Sequence, residues 1–126
     1  MSVVAYLKNA KVSPRKAGVV AALVRSRSVS DALTILDHTP RRSAELVSRT
    51  IKSAQANAEH NHGYRPDSLT ITTISVSPGI RLKRWRAGAY GQAKRYQHKT
   101  SNIRVELDGE KRPVAKTSTK AKPEAK

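Results

Sequence analysis

The stretch of sequence that decides the fold is residues 81–100, RLKRWRAGAYGQAKRYQHKT, in which cations and aromatic residues are interleaved around a glycine-containing centre. It lies in a longer segment without any acidic residue, between Asp67 and Glu106. The segment is too long for a tight turn and too regularly patterned for a random loop. We therefore predict an extended, basic β-hairpin arm over residues 77–100.

Three helices are predicted before the arm, from their start signals and from the spacing of their apolar residues. Ser13-Pro14 and Thr39-Pro40 each combine an N-cap residue with a proline at the first helical position. A glycine at position 63 is typical of the residue in the left-handed backbone conformation that ends a helix. The predicted helices run from Ser13 to about Arg25, from Ser28 to about His38 and from Thr39 to Gly63.

Three runs with alternating or β-branched residues predict strands, at residues 3–8, 69–76 and 103–107. The predicted fold class is therefore α+β: three helices packed on a small three-stranded antiparallel sheet, with the long basic β-hairpin arm projecting from it. We expect residues 1–108 to form a single globular domain that includes the arm. Residues 109–126 contain almost nothing apolar to bury and are predicted to form a basic disordered tail.

Composition restricts the function classes. The chain of 126 residues has 25 Lys and Arg against 9 Asp and Glu, a formal net charge of +16, so its expected partner is a polyanion such as nucleic acid. Aromatic residues make up 4%, which disfavours a small-molecule substrate pocket. There is no cysteine, and the first apolar run is too short for a signal or a membrane span. We expect a cytoplasmic protein with no membrane partner.

The arm is the predicted nucleic-acid contact. Cations interleaved with aromatic rings neutralise phosphates and stack on unpaired bases. A flexible solvated loop is the alternative, but such a loop would tolerate Asp and Glu. The predicted RNA-binding residues of the arm are Arg81, Lys83, Arg84, Trp85, Arg86, Lys94, Arg95, Tyr96 and Lys99.

Two further cations, Arg15 and Lys16, are predicted to bind RNA at the start of the first helix. Cations in a first helical turn oppose the helix dipole, so local stability explains them poorly. Together with the free backbone N–H groups of that turn they could hold one phosphate. The alternative is an ordinary helix cap with a basic first turn.

The end of the long helix carries Glu59, His60 and His62, a set that invites a catalytic or metal-binding interpretation. Residues 60 and 62 face different sides of a helix and no third ligand is evident nearby, so we expect no metal, no cofactor and no enzymatic activity. The imidazoles and amides of this helix end are instead expected to satisfy exposed carbonyls or to contact RNA, and the predicted RNA contacts are Asn57, His60 and Asn61. An RNA-processing enzyme that uses these histidines is the rival interpretation.

Four blocks of residues resemble one known family. They are Ser13-Pro14-Arg15-Lys16, residues 53–63 (SAQANAEHNHG), residues 82–86 (LKRWR) and residues 99–103 (KTSNI). In this order they closely resemble the bacterial large-subunit ribosomal protein number twenty-two family, over about residues 5–107. The resemblance implies a structural constituent of the large ribosomal subunit that assists assembly and lines the nascent-peptide exit tunnel with its arm. The implied partners are large-subunit ribosomal RNA, neighbouring ribosomal proteins and the nascent polypeptide.

The resemblance also implies which residues form the tip of the arm in the tunnel: Ala87, Gly88, Ala89, Tyr90, Gly91 and Gln92. The family commonly has Pro-Arg-Ala, a basic residue, Gly and Arg here, so three tip cations have been lost from this chain. An architectural DNA-binding protein that places the arm in a minor groove is the alternative function. Such proteins usually insert an apolar wedge, for which this tip offers only Tyr90.

Overall fold

The computed structural model describes residues 2–113 and confirms the predicted α+β fold. Its elements are, in chain order, β1 (Val3–Ala10), α1 (Pro14–Val24), α2 (Val29–His38), α3 (Arg42–His62), β2 (Thr70–Ala87) and β3 (Ala93–Asp108). Short 3₁₀ turns lie at Pro66–Ser68 and Ala89–Gly91. None of the helices within the described part of the chain is long and apolar enough to cross a membrane.

The three strands form one antiparallel sheet in the order β1-β3-β2, with β3 in the middle. β1 ends at Ala10, opposite Ser101 of β3. From there towards residue 93 of β3, only β2 and β3 are paired. These two strands stay paired as far as Ala87 and Ala93. The strands predicted at residues 69–76 and 103–107 are therefore the sheet-forming ends of longer strands that run on into a two-stranded ribbon, which we call the arm.

The core lies between the helices and one face of the sheet. α3 contributes a buried face with three alanines, and small side chains let the helix axis lie close to β1 and β3. The buried residues of α3 with apolar side chains are Ala44, Val47, Ile51, Ala54 and Ala58. The inner face of the sheet contributes β-branched and leucine side chains, including Ile103, Val105 and Leu107 of the central strand. The opposite face of α3 is left exposed.

Most of the predicted helix ends are confirmed. The Ser13 hydroxyl accepts from the Lys16 N–H over 3.5 Å, and the Ser28 hydroxyl accepts from the Asp31 N–H over 3.3 Å. Gly63 ends α3 with a φ of 65°, which is strained for any residue with a Cβ.

The predicted cap at Thr39-Pro40 is wrong. The Thr39 hydroxyl donates to the Ile35 carbonyl over 2.7 Å, and the Thr39 N–H donates to the Leu36 carbonyl, so this residue closes α2. α3 begins only at Arg42, and Arg41 occupies its N-cap position without a side-chain hydrogen bond. A threonine followed by proline between two helices can end the first helix as well as begin the second, and here its hydroxyl and its N–H both donate to carbonyls of α2.

The chain after β3 returns to the end of α3. The Arg65 N–H donates to the Glu110 carbonyl over 2.9 Å, and the Arg112 N–H donates to the Gly63 carbonyl over 2.8 Å. The Arg112 guanidinium also pairs with the Glu59 carboxylate over 3.1 Å. The first residues of the predicted disordered tail are therefore attached to the body, and residues 114–126 of that tail lie outside the described residues.

The pairing shifts register where the sheet narrows to the arm. We call this region, residues 78–82 on β2 and 97–101 on β3, the arm base. β2 bulges between Pro78 and Arg81, and the Thr100 hydroxyl donates to the Ile80 carbonyl inside the bulge, over 2.5 Å. β1 bulges in turn at Asn9, whose φ is 55° and whose N–H donates to the Asn102 side chain over 3.0 Å. Bulges bend a strand and fix the direction in which it continues.

Replacing Gly79 by alanine is expected to destabilise the arm base. The added Cβ would lie 2.6 Å from the Thr100 hydroxyl oxygen, so that side chain must move. We expect the free energy of unfolding to fall by about 1–3 kcal/mol, as in other overpacked sites. Urea denaturation followed by circular dichroism measures the change.

Gly18→Ala is the matched control for this substitution. Gly18 lies inside α1 and an added Cβ there meets nothing within 4 Å. Since alanine has the higher helix propensity, this variant should gain about 0.5–1 kcal/mol. Equal stability of the two variants would contradict the close contact at Gly79.

Candidate nucleic-acid interface

The arm presents cations on both of its faces. Residues directly opposite each other on paired strands share a face, and successive pairs alternate between faces. One face carries the pairs Leu82 and His98, Arg84 and Tyr96, Arg86 and Lys94. The other face carries the pairs Arg81 and Lys99, Lys83 and Gln97, Trp85 and Arg95. All nine predicted RNA-binding residues of the arm are brought together on this ribbon.

Cation–π contacts hold the aromatic side chains of the arm in place. The Arg95 guanidinium lies 4.8 Å from the centre of the Trp85 ring, and the Arg86 guanidinium lies 5.1 Å from the centre of the Tyr96 ring. His98 packs edge-on against Tyr96 at 5.2 Å. Trp85 is nevertheless 61% exposed, so part of its ring surface is open to an unpaired base.

The arm cations have no acidic partner inside the described residues. The ion pairs found in residues 2–113 are Arg49 with Glu45, Arg104 with Glu106 and Arg112 with Glu59. None of these three ion pairs includes a residue of the arm. The positive charge of the arm is therefore available to an external polyanion.

The tip of the arm is a tight, uncharged turn. The Gly88 N–H donates to the Gln92 carbonyl over 2.6 Å and closes the turn. Tyr90 stands at its apex with a φ of 57° and is fully exposed. The next charged residues are Arg86 and Lys94 on the two strands. The tip therefore offers a phenol ring, the exposed Gln92 amide and backbone groups, and no ionic contact.

A second basic surface lies beside the arm base. An open groove of about 1,090 Å³ separates the arm base from the first turns of α1 and α3, and we call it the arm-base groove. Lys16 and Lys99 of the predicted set line it, whereas Arg15 lies on α1 outside it. The cations that line the groove are Lys11, Lys16, Arg41, Arg42 and Lys99. The lining cations that were not predicted from the sequence to bind RNA are Lys11, Arg41 and Arg42. A signal for the last two was present, because cations at the start of α3 oppose the helix dipole just as Arg15 and Lys16 do in α1.

Asn57, His60 and Asn61 are not brought together with the arm. They lie near the C-terminal end of α3, and a helix of 21 residues is about 30 Å long. The N-terminal end of the same helix lines the arm-base groove. Asn57 is half-buried, while His60 and Asn61 are exposed. Any RNA contact that these three residues make belongs to a separate surface.

Glu59 and His62 at the end of α3 have structural neighbours. The carboxylate of Glu59 is paired with Arg112, and the ring of His62 packs edge-on against Tyr64 at 6.4 Å. No group of three His, Cys, Asp or Glu side chains within residues 2–113 is arranged to hold a metal ion. The set therefore offers no geometry for metal-assisted chemistry.

The comparisons with known proteins agree with the resemblance in the sequence. A family model described as "Ribosomal protein L22p/L17e" matches residues 5–108, from the first strand to the last residue of the third. The chain belongs to the L22p/L17e family. Members of the L22p/L17e family are structural ribosomal proteins, which confirms that this chain is not an enzyme.

This chain aligns with three curated relatives over nearly the whole length of each relative. Each of them is named "Large ribosomal subunit protein uL22". That of Herpetosiphon aurantiacus is 42% identical over 108 residues, 86% of this chain and 96% of the relative. That of Oceanobacillus iheyensis is 42% identical over 105 residues, 83% and 93% of the two chains. That of Syntrophobacter fumaroxidans is 44% identical over 107 residues, 85% and 97% of the two chains.

Proposed function

We propose that this chain binds large-subunit ribosomal RNA, assists assembly of the subunit and lines the nascent-peptide exit tunnel with its arm. As an L22p/L17e protein it is a component of the large ribosomal subunit, which lies in the cytoplasm. The observation that carries the proposal is the arm itself, whose two faces hold an open tryptophan ring and cations that have no acidic partner within residues 2–113.

Counterion release explains how such an arm binds RNA. Each phosphate that a Lys or Arg neutralises frees condensed counterions, and the salt dependence of binding steepens by roughly 0.7 to 0.9 for each contact. A ribbon of two strands also has no hydrophobic face to bury and is marginally stable alone in water. RNA packed on both faces supplies the order that the ribbon itself lacks. The arm can then hold several RNA segments together, which supports a role in assembly.

The proposed partners differ along the arm. Its two strands suit RNA, because they are cationic on both faces. Its tip suits the nascent polypeptide, since an uncharged turn neither attracts nor repels passing side chains of either sign. Neighbouring ribosomal proteins are proposed partners of the body through family membership.

The proposal is tested by sedimentation of the tagged full-length chain from growing cells. We expect the chain to travel with the large subunit through a sucrose gradient and to leave it only at high salt, because the contacts are mainly electrostatic. A chain that stays at the top of a low-salt gradient would contradict the proposal. A tagged chain with the arm charges removed provides the internal comparison.

A competition experiment distinguishes the proposal from architectural DNA binding. Labelled large-subunit RNA is displaced from the purified chain by unlabelled duplex DNA or by unlabelled ribosomal RNA at one salt concentration. We expect ribosomal RNA to compete better, because the fully exposed Tyr90 is the single large side chain at the tip and no aliphatic wedge accompanies it. Stronger competition by duplex DNA would favour the alternative.

A further inference from the structure

The arm-base groove is a concavity at the body end of the arm, where it shares four lining residues with the two faces of the arm: Leu82, Gln97, His98 and Lys99. Three separate segments form its walls: the connection before α1, the start of α3 and the arm base. Its volume of about 1,090 Å³ lies just above the range for pockets that hold a drug-sized molecule, about 300–1,000 Å³. Among its described lining residues five are cationic and none is acidic. The groove is therefore large enough for a nucleotide with its flanking phosphates, and its charge favours an anion.

The helix ends at the groove strengthen this electrostatic preference. The Ser43 hydroxyl donates to the Lys16 carbonyl over 3.5 Å, so the first turns of α1 and α3 lie side by side. Cations in a first turn oppose the helix dipole. The first N–H groups of α3 also have no side-chain cap. Glu45 in the first turn of α3 offsets part of this unfavourable charge, whereas α1 has no acidic residue in its first turn. An anion in the groove supplies the remaining compensation at both helix ends.

The third wall of the groove is apolar. Ile80 and Leu82 of the arm base line it, and Ile80 is 59% exposed. Phosphates gain nothing from aliphatic side chains, whereas the faces of bases and riboses do. In a duplex the base faces are stacked inside, and only unpaired nucleotides present phosphates and base faces together.

We propose that the arm-base groove binds an unpaired segment of RNA, with phosphates at its cations and a base against Ile80 and Leu82. The inference rests on the proposed function and deepens it, because it names the RNA conformation that one part of the protein recognises. It assigns Lys11, Arg41 and Arg42 as phosphate contacts and gives the apolar wall a role in distinguishing unpaired from paired RNA.

The test measures fluorescence anisotropy of a labelled unpaired oligopyrimidine RNA and of an RNA duplex of equal length, with the full-length chain. The charge variant is Lys11→Gln/Arg41→Gln/Arg42→Gln. Its matched control, Arg27→Gln/Arg49→Gln/Lys52→Gln, removes three charges outside the groove. We expect the charge variant to lose at least about tenfold in affinity for unpaired RNA and to lower the salt slope by about 2, at about 0.7 per contact. The control should change affinity by less than about threefold.

The apolar wall is tested by Ile80→Ser/Leu82→Ser, with Val19→Ser/Leu23→Ser as the control. The control residues are also exposed, Val19 to 53%, but lie on α1 outside the groove. We expect the wall variant to lose about tenfold on unpaired RNA, the scale of one lost base contact, with the salt slope and duplex affinity unchanged. Ile80→Val/Leu82→Met keeps an apolar wall and should keep the affinity, provided that circular dichroism shows all variants folded.

The outcomes separate this inference from the proposed function. If arm variants weaken RNA binding but the groove variants do not, only the groove assignment fails. Two other results would also overturn it, because the groove would then be a general anion site. One is an equal loss of affinity for unpaired and duplex RNA in the groove variants. The other is displacement of the RNA by polyglutamate of equal charge as effectively as by RNA. If the unaltered chain binds neither RNA, the proposed function itself fails.

Discussion

Removing five charges from the outer part of the arm is expected to weaken binding to large-subunit RNA by on the order of a thousandfold at low salt. The five residues, all replaced by glutamine, are Lys83, Arg84, Arg86, Lys94 and Arg95. They have no acidic partner among the described residues, so each is free to neutralise a phosphate. The slope of log affinity against log salt concentration should flatten by about 3.5 to 4.5, at 0.7 to 0.9 for each contact.

The slope is measured by filter binding between about 50 and 200 mM salt, the range over which such contacts change affinity strongly. A control variant loses the same number of charges from the body, away from the arm and the groove: Lys8, Arg27, Arg49, Lys52 and Arg65, all replaced by glutamine. The control should retain most of the slope. An unchanged slope in the arm variant would remove the arm from the binding mechanism.

Ile51→Ala is expected to produce the largest loss of stability, about 2–5 kcal/mol in the free energy of unfolding. Ile51 is completely buried in the middle of α3, where the helix packs on the sheet. The substitution removes apolar surface and leaves a cavity that the surrounding β-branched side chains cannot fill. Since domains of this kind are stable by only about 5–15 kcal/mol, a large fraction of the folded population is at risk at elevated temperature.

Urea denaturation at 25 °C measures this loss, with Val19→Ala as the comparison. Val19 lies on the exposed face of α1, and its truncation should change stability by no more than about 0.5 kcal/mol. Similar values for the two variants would show that α3 does not hold the core together as its burial indicates.

The helices were predictable because their signals are local. Ser13 and Ser28 cap the turns that follow them, and Gly63 needs only its own left-handed conformation. Thr39 shows where local signals fail. A threonine before proline can begin the helix that follows or end the helix that precedes it. The Thr39 hydroxyl donates back to α2, and the sequence alone does not distinguish these two roles.

The candidate site divides in the same way. The arm was predictable because its cations and aromatic residues are consecutive in an acid-free run. The arm-base groove was not, since Lys11, Arg41 and Lys99 are distant along the chain and only the packing of α1 and α3 against the arm base brings them together. The attachment of residues 110–112 was equally hidden, because backbone hydrogen bonds hold it and composition carries no sign of them.

The bulges at the arm base set the direction in which the whole arm leaves the body. Seven residue pairs follow the bulge in β2, a length of about 23 Å at about 3.3 Å per residue. A change of about 10° in the direction of the strands at the bulges therefore moves the tip of the arm by about 4 Å. Substitutions at Asn9, Gly79 or Thr100 are thus expected to misdirect Tyr90 while every side chain that is proposed to bind RNA stays unaltered.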